Sequence, residues 1–170
     1  MNKVLHLTLF LGVVSALAGG ALAFANDMTA PVIAENKEKA EKEVLVEMYP
    51  KAEPEDFKQV DAKLDEDGHI NKVYEYNGNY IFNMSVAGYK EGTSFLVSID
   101  QESGEIDSYK AISNGDTKGI GSQVTEPEFS KSLLKKDASG ELDTISGATV
   151  SSTPVVEGIH EAAKMAEKLK

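Results

Sequence analysis

The chain of 170 residues contains no cysteine, and that absence removes several chemistries at once. Disulfides, thiolate nucleophiles, iron–sulfur ligation and c-type haem attachment all need the thiol, so any redox chemistry must come from another cofactor. Positive charge is also scarce: 17 Lys and Arg against 28 Asp and Glu leave a formal net charge of −11. Nucleic-acid affinity rests on Lys and Arg neutralising phosphates, so nucleic acid is excluded as a partner. Internal repeats and low-complexity tracts are absent. The few histidines are scattered, with His6 in an apolar stretch, His69 in a turn and His160 on a helix surface. That spacing gives no metal site and leaves them structural or solvent-facing.

What is present amounts to about one ordinary domain with additions. Hydrophobic residues at 41% and charged residues at 26% suffice for a core, although an apolar N-terminus inflates the first figure. Val4 to Ala25 is an uncharged apolar run preceded by Lys3, long enough to cross a bilayer core of ~30 Å as a helix. A cleaved signal peptide is the competing reading, supported by the small-residue patterns Ala21-Leu22-Ala23 and Ala23-Phe24-Ala25. Both readings place the remainder outside the cytoplasm, because a positive N-terminus stays inside while the following segment is translocated.

The chain then divides into a helical stalk or linker over 26–60 and a domain over 61–170. Ala34 to Met48 is rich in helix formers, with Ala40, Val44 and Met48 on one face. This helix is either a stalk that docks or a solvated surface helix. Pro50 and Pro54 punctuate it, and the acidic stretch Asp61 to Asp67 before Gly68 predicts a loop, with Asp65-Glu66-Asp67 as solvated surface. From there the texture becomes β-prone: Lys72–Tyr76, Tyr80–Ala87, Thr93–Ile99 and Glu105–Ile112 are separated by turn residues, with Asn77-Gly78 as a tight hairpin. The predicted fold class is α+β, an antiparallel sheet flanked by helices.

Candidate chemistry concentrates in Asp143-Thr144-Ile145-Ser146-Gly147-Ala148-Thr149-Val150-Ser151-Ser152. Gly147 and Ala148 allow close approach to the backbone, and Thr149 offers a hydroxyl just before a helix. Thr153 is expected to cap that helix and Pro154 to occupy its first turn, with Val155, Val156, Ile159, Ala162, Ala163, Ala166 and Leu169 forming the apolar face. A phosphate on Thr149 would lie near a helix N-terminus, where unpaired N–H groups and the helix dipole favour anions. An ordinary Ser/Thr-rich loop leading into a capped helix accounts for the same spacing.

Asp143-x-x-Ser146-Gly147-Ala148-Thr149-x-x-Ser152 resembles the flavinylation motif of FMN-binding domains in membrane redox systems. The resemblance implies covalent FMN on Thr149, attached through a phosphodiester by a flavin transferase that uses FAD and a divalent metal. It extends over nearly the whole chain. The apolar N-terminal helix, Asn26 to Ile33, the Gly88-Tyr89 turn, the Ile99-Asp100…Gly104-Glu105-Ile106 pair and the Lys118-Gly119-Ile120-Gly121 loop are similar in order to the G subunit of Rnf complexes. Those complexes move electrons between ferredoxin and NAD while translocating Na⁺ or H⁺. The resemblance therefore implies a single-pass subunit of the cell membrane with its FMN outside, and other membrane subunits as partners. It makes the chain a redox subunit of a translocase rather than an enzyme alone. One loop departs from the family: where His-x-Glu-Thr-Pro-Gly-Leu-Gly is usual, this chain has Ser113-Asn114-Gly115-Asp116-Thr117-Lys118-Gly119-Ile120-Gly121.

Tyr74, Tyr76, Tyr80 and Tyr89 are candidates to stack on a flavin, against the simpler reading of strand aromatics as packing residues. Tyr89 is favoured by its place beside Gly88. The predicted FMN site thus comprises Thr149, Ser146, Gly147, Ala148, Asp143, Ser152, Tyr89, Gly119 and Gly121. Thr149 is an anchor, not a catalyst. A free-standing extracytoplasmic flavoprotein shuttle and a secreted non-redox binding module are the alternatives to a complex subunit.

Overall fold

The computed structural model describes residues 2–64 and 68–170. Asp65, Glu66 and Asp67, read as solvated acidic surface, lie outside the described residues. Two compact units result, Met1–Ala40 and Glu41–Lys170.

The first unit is helical from Lys3 onward. Helix α1 runs without interruption over Lys3–Met48 with Pro31 inside it, so the apolar run and the start of the 26–60 stalk form one helix. Its apolar part has a mean hydropathy of 2.1 over its best 18-residue window, none of it buried. Among the described residues it is the one helix long and apolar enough to cross a membrane.

The second unit is built on five antiparallel strands in the order β1-β2-β3-β4-β5, comprising β1 Lys58–Gln59, β2 Ile70–Tyr76, β3 Asn79–Val86, β4 Thr93–Asp100 and β5 Ile106–Asn114. Each of the four long strands coincides with a β-prone run. The β2–β3 hairpin turns through Asn77 and Gly78 at φ 47° and 79°, the double positive φ that a two-residue hairpin of matching twist demands. Helix α2 spans Pro127–Leu133 and α3 spans Thr149–Leu169.

Alternation along β3 and β4 sends side chains to two opposite cores. Phe82, Met84, Val86, Phe95, Val97 and Ile99 face α3, which returns Val155, Val156, Ile159, Ala162, Ala163 and Ala166. Gly158 lets α3 settle closely, since a Cβ there would lie 3.1 Å from Val86 Cγ1. On the other face Ile81 and Leu96 pack with Leu45, Ala52 and Phe57. The last turns of α1 therefore dock, and the solvated-helix reading does not hold for them. Val44 and Met48 join that cluster. Tyr49 hydroxyl lies 2.6 Å from both Ser98 Oγ and Asp107 Oδ2; burial first, then Asp107, raises its pKa above the ordinary tyrosine value. Buried Glu41 accepts from Lys72 Nζ and Tyr74 hydroxyl, each at 2.9 Å. His69 and His160 hold structure: His69 Nδ1 is 2.7 Å from Glu161 Oε2, and His160 Nε2 is 2.9 Å from Gly140 O.

Candidate functional site

The start of α3 is set by backbone bonds rather than by Thr153. Ala148 carbonyl accepts from Ser151 N at 3.0 Å and Ser152 N at 2.9 Å, which closes the first turn and makes Thr149 the first helical residue. The helix thus begins five residues earlier than expected, with Ala148 rather than Thr153 at its N-cap. Thr153 lies inside it, and so does Pro154. Proline has no N–H for the carbonyl four residues back, and here that carbonyl belongs to Val150, which is exposed to water. Ser152, fully buried, spends its hydroxyl accepting from Ile145 N at 2.9 Å, fixing the preceding loop.

A cleft of about 460 Å³ opens beside Thr149, lined by Tyr89, Thr117, Ile120, Gly121, Gly147, Ala148, Val150 and Ser151. Three of these are large and exposed: Tyr89 at 69%, Val150 at 61% and Ile120 at 51%. Apolar groups this open, gathered around one cleft, mark a surface suited to a flat apolar ligand. Gly147 has φ +84° and open space at its Cβ position, whereas Ala148 is only 4% exposed. Thr149 is exposed, while Ser151 and Ser152 are buried. Of these three neighbouring hydroxyls, that of Thr149 is therefore the accessible one.

Behind the cleft stands Asp116, 9% exposed. Its Oδ2 accepts from Ser151 Oγ at 2.5 Å, and its Oδ1 accepts from Lys90 N at 2.8 Å and Gly92 N at 3.4 Å. Burial alone would push its pKa up. The donors, Ser151 foremost, followed by the backbone N–H groups of Lys90, Tyr89 and Gly92, outweigh burial and bring it down to about 2. One carboxylate thereby ties together the turn after β3, the loop after β5 and the first turn of α3. Two glycines make room for it: a Cβ on Gly88 would fall 2.2 Å from Asp116 Oδ2, and one on Gly121 2.5 Å from Ser151 Oγ.

The predicted site residues distribute unevenly. Tyr89, Gly121, Gly147 and Ala148 line the cleft, with Thr149 between two lining residues. Gly119, at φ +77°, shapes the loop instead, its N–H donating to Ser122 Oγ at 2.8 Å. Asp143 pairs with Lys136 at 2.6 Å, and Ser146 is exposed in the preceding loop. Tyr74, Tyr76 and Tyr80 lie elsewhere: Tyr74 bonds Glu41, Tyr76 packs on Tyr49 and Phe57, and Tyr80 hydroxyl donates to Leu169 O. Strand packing accounts for all three. Sequence reasoning missed Asp116 and gave Ser151 no role. The one available signal was a carboxylate within the Gly-rich loop.

The residues fit an FMN. A phosphate on Thr149 would meet the N–H groups at the start of a 21-residue helix, and the adjoining cleft offers an apolar wall to a ring. Comparison with known proteins agrees. Residues 88–164 match the family described as FMN-binding domain. The chain is also 29% identical over 167 residues to a protein of Methanosarcina acetivorans named as the G subunit of an ion-translocating oxidoreductase complex, covering 88% of this chain and 87% of that protein.

Proposed function

We propose, from the match of residues 88–164 to the FMN-binding domain family, that this chain is a single-pass membrane subunit of an Rnf-type electron-transport complex, with FMN esterified to Thr149 outside the cytoplasm. The observation that carries the reading is the exposed Thr149 hydroxyl on the first residue of α3, at the edge of an apolar cleft.

Each element has a definite task in this reading. Thr149 Oγ1 would hold the flavin through its phosphate: in transfer from FAD by a flavin transferase, the hydroxyl would lose its proton and gain the P–O bond while AMP is released. The first turn of α3 favours the phosphate charge. Gly147 and Ala148 keep the approach clear for transferase and phosphate. Tyr89, Ile120 and Val150 offer the ring apolar contact. When bound, FMN supplies one- or two-electron transfer, while the protein sets its orientation, exposure and electrostatics.

Retention and location follow the same logic. A flavin outside the cytoplasm cannot be replaced from the soluble cofactor pool, so a covalent link removes dependence on affinity. Lys3 before the apolar run orients the N-terminus inward. Val4–Ala25 rises about 33 Å as a helix, enough for a bilayer core of ~30 Å. The partners are the other membrane subunits of a complex that couples ferredoxin and NAD redox chemistry to Na⁺ or H⁺ movement; the relative's name supports an ion-translocating oxidoreductase complex.

Purification from the native host in detergent tests this. Flavin absorbance that persists after denaturation, together with polytopic partners in the same peak, is expected. Covalent flavin on a solitary protein would favour the free-standing shuttle, and absence of covalent flavin would defeat the attachment.

A further inference from the structure

We infer that Asp116 is a positioning and electrostatic residue of the cleft, holding through Ser151 a fixed negative charge behind the flavin that makes the bound FMN harder to reduce. This rests on the FMN reading above. Asp116 lies outside the attachment motif and does not line the cleft; Ser151 and Gly121, which do, stand between.

Several observations point to a charge and not merely to a staple. Asp116 is 9% exposed, and its carboxylate accepts from neutral donors: Ser151 Oγ, Lys90 N and Gly92 N. Among the described residues no Lys or His forms a salt bridge with it. Its charge is solvated by dipoles but not cancelled by a counter-ion. Lys90, Glu91 and Lys118, the charged neighbours on the same loops, are exposed, so water and salt screen them far more than a charge withdrawn from solvent. Space for the carboxylate is reserved by Gly88 and Gly121, where any Cβ would strike Asp116 or Ser151. Reduction adds negative charge to the ring, so an uncancelled anion nearby opposes it.

Two variants of the full chain, made flavinylated in the native host, separate charge from shape. Asp116→Asn keeps the size and the Oδ1 acceptor for Lys90 and Gly92, while Ser151 can turn to accept from the new amide. Ser151→Ala breaks the same contact but leaves the carboxylate. Redox titration of the purified proteins at neutral pH is expected to give a more positive midpoint potential for Asp116→Asn and no positive shift for Ser151→Ala. An unchanged potential in Asp116→Asn overturns the inference while leaving FMN attachment intact. A positive shift in Ser151→Ala also overturns it, and this arm decides the matter if Asp116→Asn does not fold. Wild-type protein without covalent flavin overturns the attachment reading and this inference together.

Discussion

Asp116 also has a consequence for stability that needs no flavin. Its pKa falls from an ordinary 3.8 to about 2 on folding. A depressed carboxylate stabilises the fold fully above its unfolded value and ceases to do so as pH drops through the folded one. Wild-type protein should lose part of its stability between about pH 4 and 2. Asp116→Asn should be about 1–3 kcal/mol less stable at pH 7, as expected for lost bonds to a charged group, with the gap closing over the same acid range. Thermal melts at stepped pH check this; a constant gap would contradict it. Ala148 lines the cleft but has little room of its own. At 4% exposure it is packed, so Ala148→Leu should block flavinylation and also cost about 1–3 kcal/mol from overpacking. Intact mass and a melt read the two effects separately. At this scale the motif was legible because its residues are contiguous, but the Asp116–Ser151 contact spans 35 positions and leaves no local pattern.

Among the elements, α1 joins the sheet more firmly than its sequence announces. Leu45 is 2% exposed against Ile81, Leu96 and Phe57. Leu45→Ala should therefore destabilise the second unit by about 2–5 kcal/mol, the usual cost of a core cavity. Denaturant unfolding that shifts by less than about half a kilocalorie would contradict the docking. The four long strands could be read in advance because β-prone runs stand between turn residues, and the apolar face of α3 because burial on one side imposes period 3.6. β1 could not: two exposed residues, Lys58 and Gln59, carry no period. The start of α3 was misplaced because Thr153 and Pro154 look like a cap and a first turn, while the backbone closure at Ala148 that decides the boundary has no side-chain signature.

For the whole molecule the proposed reading links the apolar N-terminus to the flavin on Thr149. A retained Val4–Ala25 keeps the cofactor at the membrane, so the mature protein should carry its full N-terminal segment in the membrane fraction. N-terminal peptides beginning at or near Asn26 would show cleavage instead. The formal charge of −11 suits a domain that stays soluble beside the bilayer and avoids polyanions. The central claim is the bond at Thr149, and peptide mass spectrometry of protein from the native host tests it most directly. The account predicts that the peptide containing Thr149 carries the mass of FMN less water, and that Thr149→Val loses the adduct while the domain remains folded. An FMN adduct that persists in Thr149→Val, or that maps to Ser146, Ser151 or Ser152, would contradict it.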